Sequence, residues 1–302
     1  MGQKTTGQNE MLRLRVPAKL NLALDVLSLR PDGYHEIQTV MQAVSIYDEL
    51  VLRRRSERGV TLSSTLPFLP LDARNLAYRA AVAFFEEIGL SDYGIEISMK
   101  KHIPVGAGMG GGSANAAGVL LGLNRLYGAG LSMQRLSEIG LTLGADVPFC
   151  LLMGGAALAC GIGERLTPLP SMPHCTLVVA KPRASISTPV LYRKYDECGT
   201  KTHPDCMALA REMGGSLRRV AGRCGNALEQ AASLSVPMIA KMAQELRQKG
   251  ALCAVMTGSG SAVFGVFSHN GTARAATAWM RREHPGCFVS LASPVERPAG
   301  EG

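Results

Sequence analysis

The stretch Pro104-Val105-Gly106-Ala107-Gly108-Met109-Gly110-Gly111-Gly112-Ser113-Ala114-Asn115 places five glycines within seven positions, directly ahead of an apolar segment. Glycine is costly to order and brings no side chain to pack. Such a cluster therefore marks positive φ angles or a ligand pressed against the main chain. From Ser113 the segment SANAAGVLLGLNRLYG carries apolar residues at 116, 119, 120, 123 and 126, so the loop opens onto a helix. Successive backbone N–H groups, followed by the partial positive charge of a helix N-terminus, make a nest for phosphate oxygens. Ser113, the first polar residue of that helix, is equally a candidate N-cap.

Two familiar phosphate loops do not fit. Gly106-x-Gly108-x-x-Gly111 matches the dinucleotide fingerprint, but that fingerprint expects an acidic residue about 20 positions later. The first Asp or Glu after Gly106 is Glu138, and no strand-first βαβ unit opens the chain. A Walker A loop fails because Gly112 stands where Gly-Lys-Ser requires lysine. The loop binds phosphate by a third arrangement.

Working outward, LRLRV alternates as a strand, and AKLNLALDVLSL continues it with Leu20, Leu22, Leu24 and Val26 on one face and Lys19, Asn21, Ala23 and Asp25 on the other. A cation and an amide thus share a face, although a solvent-facing strand lysine is the commoner fate of such a residue. The turn RPDGYHE follows, and IQTVMQAVSI and DELVLRRR read as two further strands. Asn75 to Gly89 has helical spacing with Gly89 as its stop, and YGIEISMKK is a strand that leads into the glycines. SMQRLSEIGLTLG reads as a second helix ending at Gly144, then a loop ADVPF, then strands from Leu151 to Cys160. In that loop Asp146, followed by Val147-Pro148, has the form of an ordinary cap. Beyond residue 172 come a strand CTLVVAKP, a helix-rich middle, the segment ALCAVMTGSGSAVFGVF and a last strand CFVSLAS. Two layered α+β halves fit this order better than a repeating βαβ array. The tails, residues 1–10 and 293–302, read as disordered.

At 302 residues and 46% hydrophobic content the chain can bury a proper core. A net charge of +8 suits nucleic acid, an anionic membrane or a phosphorylated small molecule. The densest basic run, Arg53-Arg54-Arg55, is short, lacks interleaved aromatics and reads as a solvated strand end, which argues against nucleic acid. Eight cysteines without a Cys-x-x-Cys pair read as reduced thiols of a cytoplasmic protein. The polar N-terminus is no signal peptide, and the uncharged stretches are broken by Gly and Pro, so no membrane is expected.

PVGAGMGGGSAN resembles the Pro-x-x-x-Gly-Leu-Gly-Gly-Ser-Ser motif of the GHMP kinases, the galactokinase, homoserine, mevalonate and phosphomevalonate kinase superfamily. VPAKLNLALDVLSLRPDGYHEI near the start and TGSGSAVFGVF near the end fall in the order that family requires, and the likeness runs from about residue 11 to 290. With LTLGADVPFC and STPVLY, these segments are similar to one branch whose acceptor carries a cytidine diphosphate; homoserine and mevalonate kinases are the alternative. Two departures are Ala114 for a usual second serine and Ala227 in NALE for a common Asp. The resemblance implies a two-domain α+β GHMP kinase fold: an ATP-binding domain over 11–171, a C-terminal domain over 172–292, and an active site in the cleft between them. It implies ATP held by Pro104 to Ala114, with Ser113 near the phosphates and Mg²⁺, metal ligands left open. Asp146 would be the base, and Lys19 the cation that keeps Asp146 ionised and screens the transferred phosphoryl. Asn21 would lie at the acceptor hydroxyl, while Tyr34, His35 and Tyr192 form a cytosine pocket in which two tyrosines sandwich the base. The expected partner is a small-molecule substrate, with the chain a monomer or weak homodimer.

Overall fold

The computed structural model describes residues 11–198 and 202–298. In chain order the elements are β1 (Met11–Leu29), β2 (His35–Arg54), β3 (Gly59–Ser64), α1 (Leu76–Glu87), β4 (Gly94–Lys100), α2 (Gly111–Tyr127), α3 (Met133–Leu143), α4 (Val147–Cys150), β5 (Ala156–Gly161), β6 (Arg165–Leu169) and β7 (Thr176–Lys181). There follow α5 (Thr188–Cys198), α6 (Cys206–Glu212), α7 (Leu217–Arg223), β8 (Gly225–Asn226), α8 (Glu229–Ser235), α9 (Met238–Gln248), β9 (Cys253–Met256), β10 (Val263–Phe267), α10 (Asn270–Glu283) and β11 (Phe288–Ala292). The mixed helix and strand content is the α+β class expected. By packing, the described chain divides into two compact units that interleave along the sequence. One takes 11–17, 47–103 and 110–151, the other 18–46, 104–109 and everything from 152 onward. This partition follows packing, whereas the boundary expected after residue 171 follows chain order.

In the first unit the strand order is β3-β4-β2-β1, with β3 parallel and β2 antiparallel to β4. Helix α2 lies so close to this sheet that a Cβ on its Gly118 would stand 2.5 Å from Val16 Cγ1 and 2.6 Å from Leu50 Cδ1. Only glycine permits that approach. The fully buried Phe84 and Phe85 of α1 fill the rest, Phe85 stacking on Tyr93 at 3.8 Å and meeting Tyr127 edge-on at 5.0 Å. Each such ring contributes about 1.5–3 kcal/mol by leaving water.

In the second unit β5 pairs antiparallel with β2, β6 with β5, and β8 runs parallel to β1 through Ala23–Gly225 and Leu24–Asn226. A four-stranded antiparallel sheet, β11-β7-β10-β9, carries a hydrophobic core. Its Val178, Ala180, Val263 and Phe267 pack with Ile239, Met242 and Leu246 of α9 and Ala276 and Met280 of α10.

Several expectations change. The two strands read over 37–54 are one 20-residue strand, because Val40–Val44 are buried and no turn residue interrupts them. Strand β3 buries one residue, Leu62, and β6 buries none, so neither gives a sustained periodic signal. The run from Leu151 becomes strand only at Ala156, and the loop ADVPF contains the single turn α4. Arg54 is not a solvated strand end: its guanidinium lies 4.2 Å above the Tyr127 ring and donates to the Leu126 carbonyl at 2.6 Å. The tail expected from residue 293 begins as ordered chain, with Ser45 N donating to Ser293 O and Val295 N to Ala43 O, each at 2.9 Å. The seven described cysteine side chains are free thiols; Cys198 lies outside the described side chains.

Candidate functional site

Residues 16–26 of β1 are buried on both faces, so the polar face that alternation assigns to Lys19, Asn21 and Asp25 lies in the interior. Lys19 is 4% exposed, which removes the reading of a solvent-facing lysine. A buried ammonium must be satisfied by oxygen acceptors, and Lys19 Nζ donates to Asn21 Oδ1 at 2.7 Å. Asn21 Nδ2 donates in turn to Thr39 Oγ1 at 2.8 Å, and the Asn21 backbone N–H to Thr257 Oγ1 at 2.8 Å. The cation and amide that the sequence placed on one face are therefore one bonded group, all within the second unit.

Residues 104–109 belong to the same unit. Lys19 N donates to Met109 O at 3.1 Å and Ala262 N to Ala107 O at 3.2 Å, which seats this half of the glycine run against the turn 257–260. Gly108 holds φ +74°, and a Cβ there would stand 2.9 Å from Gly260 N, so both sterics and backbone demand glycine. The turn is clamped from behind by Asn226, whose Nδ2 donates to Met256 O and Gly258 O at 2.8 Å. Lys181, buried at the end of β7, donates to Pro182 O, Ala184 O and Ser185 Oγ at 3.0–3.2 Å and so folds the segment that leads into STPVLY. Burial lowers its pKa below the usual lysine value.

The remaining glycines start α2 in the first unit. Gly110 is the N-cap, in the left-handed region with no capping side chain, and the helix begins at Gly111. Ser113 is thus the third helical residue and not the N-cap. The first intrahelical bond joins Ala114 N to Gly110 O. That leaves the N–H groups of Gly111, Gly112 and Ser113 without helical acceptors, and no acidic residue occupies the first turn to compete for them. Three aligned donors at the head of a 17-residue helix carry the partial positive charge of its dipole. Beside it, Gly144 ends α3 within 4.0 Å of Ser113 Oγ, measured from an ideal Cβ, and the next turn brings Asp146 to the head of α4. Asp146 occupies the N-cap position there but makes no capping hydrogen bond.

A buried group missed by the sequence reading holds this corner together. Asp48 Oδ1 accepts from His102 N at 2.7 Å and Ile103 N at 2.9 Å, while its Oδ2 accepts from Asn115 Nδ2 at 2.8 Å and from Lys101 Nζ. Lys101 also donates to Asn115 Oδ1 at 2.6 Å. Strand end, loop entry and second helical turn are thereby tied to one carboxylate. Burial lowers the Lys101 pKa, and the Asp48 charge opposes it.

In the second unit His35 and Tyr192 come together, their rings stacked at 4.7 Å and 25°. His35 Nε2 lies 2.8 Å from Asp196 Oδ1. A carboxylate can only accept, so Nε2 carries the proton and donates. Tyr34 is 62% exposed on the adjoining turn. The ring stacked directly on Tyr192 is that of His35.

The first unit thus holds an open helix start and the Asp146 turn, and the second a buried lysine–asparagine pair bonded to the turn that starts at Thr257. The GHMP kinases N terminal domain model matches residues 75–154 and the GHMP kinases C terminal model residues 206–285. The chain belongs to the GHMP kinases. Among its relatives is the 4-diphosphocytidyl-2-C-methyl-D-erythritol kinase of Lachnospira eligens, 40% identical over 275 residues that cover 91% of this chain and 95% of that protein. The kinase of the same name from Caldicellulosiruptor saccharolyticus is 43% identical over 258 residues, covering 85% and 88%. A solved 4-(cytidine 5'-diphospho)-2C-methyl-D-erythritol kinase superposes with TM-score 0.78 at 35% identity, covering 94% of this chain and 99% of that one. The homoserine kinase of Cytophaga hutchinsonii shares the fold at TM-score 0.75 with 19% identity, covering 98% of each chain.

Proposed function

We propose that this chain uses ATP to phosphorylate the 2-hydroxyl of 4-diphosphocytidyl-2-C-methyl-D-erythritol, a step in non-mevalonate (methylerythritol phosphate) isoprenoid precursor synthesis. The observation that carries the chemistry is the uncapped start of α2 at Gly111–Ser113 with the Asp146 turn beside it. The choice of acceptor rests on relatives of that name aligned over nearly their full length.

In this reading the segment Pro104 to Ala114 wraps the nucleotide phosphates, its backbone N–H groups matching their oxygens. Asp146 accepts the proton of the acceptor hydroxyl as its oxygen bonds to the γ-phosphorus and ADP leaves. Lys19 neutralises charge on the phosphoryl in transfer, and Asn21 orients the acceptor. Mg²⁺ supplies charge neutralisation when it arrives with the nucleotide. Among the described residues no group of three or more His, Cys, Asp or Glu side chains could hold a metal ion. That suits a cation that keeps waters and phosphate oxygens and needs only one or two protein ligands, with the Ser113 hydroxyl a candidate. The 11–171 segment is the ATP-binding domain and 172–292 the second domain of a cytoplasmic enzyme, a monomer or weak homodimer. Among the described residues no helix is long and apolar enough to cross a membrane. An ATP-consumption assay across a panel of acceptors tests the reading. Turnover confined to homoserine or mevalonate would replace it.

The glycine helix start gives its own prediction. Gly112 is exposed, and a Cβ there would meet only Leu76 Cδ1 at 3.4 Å, so Gly112→Val should fold. Its side chain would crowd the phosphate approach and weaken ATP by about ten-fold or more, the worth of a hydrogen bond to a charged group, with acceptor affinity little changed. Calorimetric titration of both ligands checks this, and unchanged ATP affinity would remove the anion site. Gly111 is the poorer probe, because its Cβ would meet Ile103 Cγ2 at 3.0 Å and report packing instead.

A further inference from the structure

The amide of Asn21 can be placed in its pocket in two ways that differ by exchange of oxygen and nitrogen. One neighbour decides between them. Thr39, 1% exposed on β2, donates its single hydroxyl proton to the Ala23 carbonyl at 2.6 Å. A hydroxyl has one proton and two lone pairs, so toward Asn21 it can only accept. Asn21 must therefore present Nδ2 to Thr39, at 2.8 Å, and Oδ1 to the Lys19 ammonium, at 2.7 Å. The flipped amide would set its NH₂ against an ammonium and its oxygen against a hydroxyl that has no proton to give. All four groups are buried within the second unit, so water cannot repair either mismatch.

We propose that Thr39 is the positioning residue that fixes the Asn21 carboxamide, and through it the Lys19 ammonium, in the orientation used for phosphoryl transfer. The proposal rests on the assignment of Lys19 and Asn21 to the reacting end of the acceptor. Thr39 touches no reactant; it acts by selecting one of two amide orientations. The chain of partners runs Ala23 carbonyl, Thr39 hydroxyl, Asn21 amide, Lys19 ammonium, each link having a defined donor. Removing the hydroxyl frees the amide to rotate and leaves the lysine a choice of positions.

The test compares full-length Thr39→Val and Thr39→Ser with the unmodified enzyme and with Lys19→Met, using ATP and 4-diphosphocytidyl-2-C-methyl-D-erythritol. Thr39→Val, nearly isosteric, should lower kcat by roughly ten-fold to a hundred-fold, the range expected for a lost hydrogen bond to a group serving a charge, with KM for ATP unchanged. Thr39→Ser keeps the proton and the lone pairs and should restore kcat to within about three-fold of normal, the usual size of a small packing change. A purely structural role would lower the melting temperature of Thr39→Val while leaving kcat of the folded protein intact, and that result overturns the proposal. So does a Thr39→Ser variant as slow as Thr39→Val. If the valine variant does not fold, Thr39→Ala removes the hydroxyl without added bulk and is read the same way. Lys19→Met separates the two layers: if it is folded and fully active, the assignment of Lys19 itself fails. If it is inactive while Thr39→Val turns over normally, only the role of Thr39 falls.

Discussion

Asp146→Asn is expected to lower kcat by about a hundred-fold to ten-thousand-fold, the usual worth of a positioned general base, with ATP and acceptor still bound. The substitution changes one oxygen for an NH₂ group and little else, so it removes proton acceptance and charge but not volume. The surroundings should tolerate it. Asp146 heads α4 without making the capping bond that would tie helix stability to its carboxylate. Val147 and Phe149, buried beside it, anchor the turn by packing, with Val147 Cγ1 filling the space 2.8 Å from where a Gly140 Cβ would stand. The melting temperature is measured beside kcat, so that a loss of fold is told apart from the loss of the base. Single-turnover measurement distinguishes slow chemistry from slow release. A folded Asp146→Asn protein with near-normal turnover would make Asp146 a structural turn residue, and the proton would need another acceptor.

The fold was legible where burial imposes a period. Helix α1 was expected between Asn75 and Gly89 and is found at Leu76–Glu87, with Asn75 Oδ1 accepting from Ala77 N. Helix α3 likewise ends against Gly144 as read. Alternation in β1 named the right residues for each face but the wrong environment for one of them. Period two says which side chains share a face, not whether another layer covers it. The same blindness split β2 in two and passed over β3 and β6, which bury one residue and none and so carry no sustained apolar rhythm. Interleaving of the two compact units is invisible for a related reason: β1 and β2 each contribute to both units, and nothing in a strand's own sequence marks the residue at which its packing partners change.

Within the candidate site, the glycine run was read from φ requirements and the dipole, and both are physical properties of the local chain. Lys19 and Asn21 could be paired because they are two residues apart on one strand. The residues that hold these groups in place were not legible. Thr39 meets Asn21 from 18 positions away, Asn226 reaches Gly258 from 32, and Asp48 gathers Lys101, His102, Ile103 and Asn115 across more than 50. An Asp or a Thr within a strand has an ordinary structural reading, and only the fold shows that its partners are buried donors. One sequence signal did exist for Asp48: it stands between Tyr47 and Glu49 in a run that is otherwise strand-forming, where an Asp is disfavoured unless it is paired.

A uridine analogue of the acceptor is expected to be a much poorer substrate than the cytidine compound, by roughly ten-fold to several-hundred-fold in kcat/KM. The discrimination starts from Asp196. Because the Asp196 carboxylate accepts from the Nε2–H of His35, the tautomer with its single proton on Nε2 presents the Nδ1 lone pair as an acceptor. Stacking on Tyr192 at 4.7 Å holds the ring in place and limits its rotation. An acceptor so fixed suits the exocyclic amino group of cytosine and meets a carbonyl in uracil. Each such mismatch costs about 1–3 kcal/mol when the groups are desolvated, which gives the range stated for one or two of them. Tyr34→Ala should weaken both analogues about equally, since a ring face does not identify the base. His35→Ala should narrow the gap between them, and Asp196→Ala should narrow it partly by releasing the tautomer. Tyr192→Ala should both weaken binding and reduce discrimination, because that ring also supports His35. The measurement is kcat/KM for the two acceptors across these variants at one pH. Equal values for cytidine and uridine acceptors in the unmodified enzyme would refute the cytosine pocket and leave a GHMP kinase whose acceptor is recognised elsewhere.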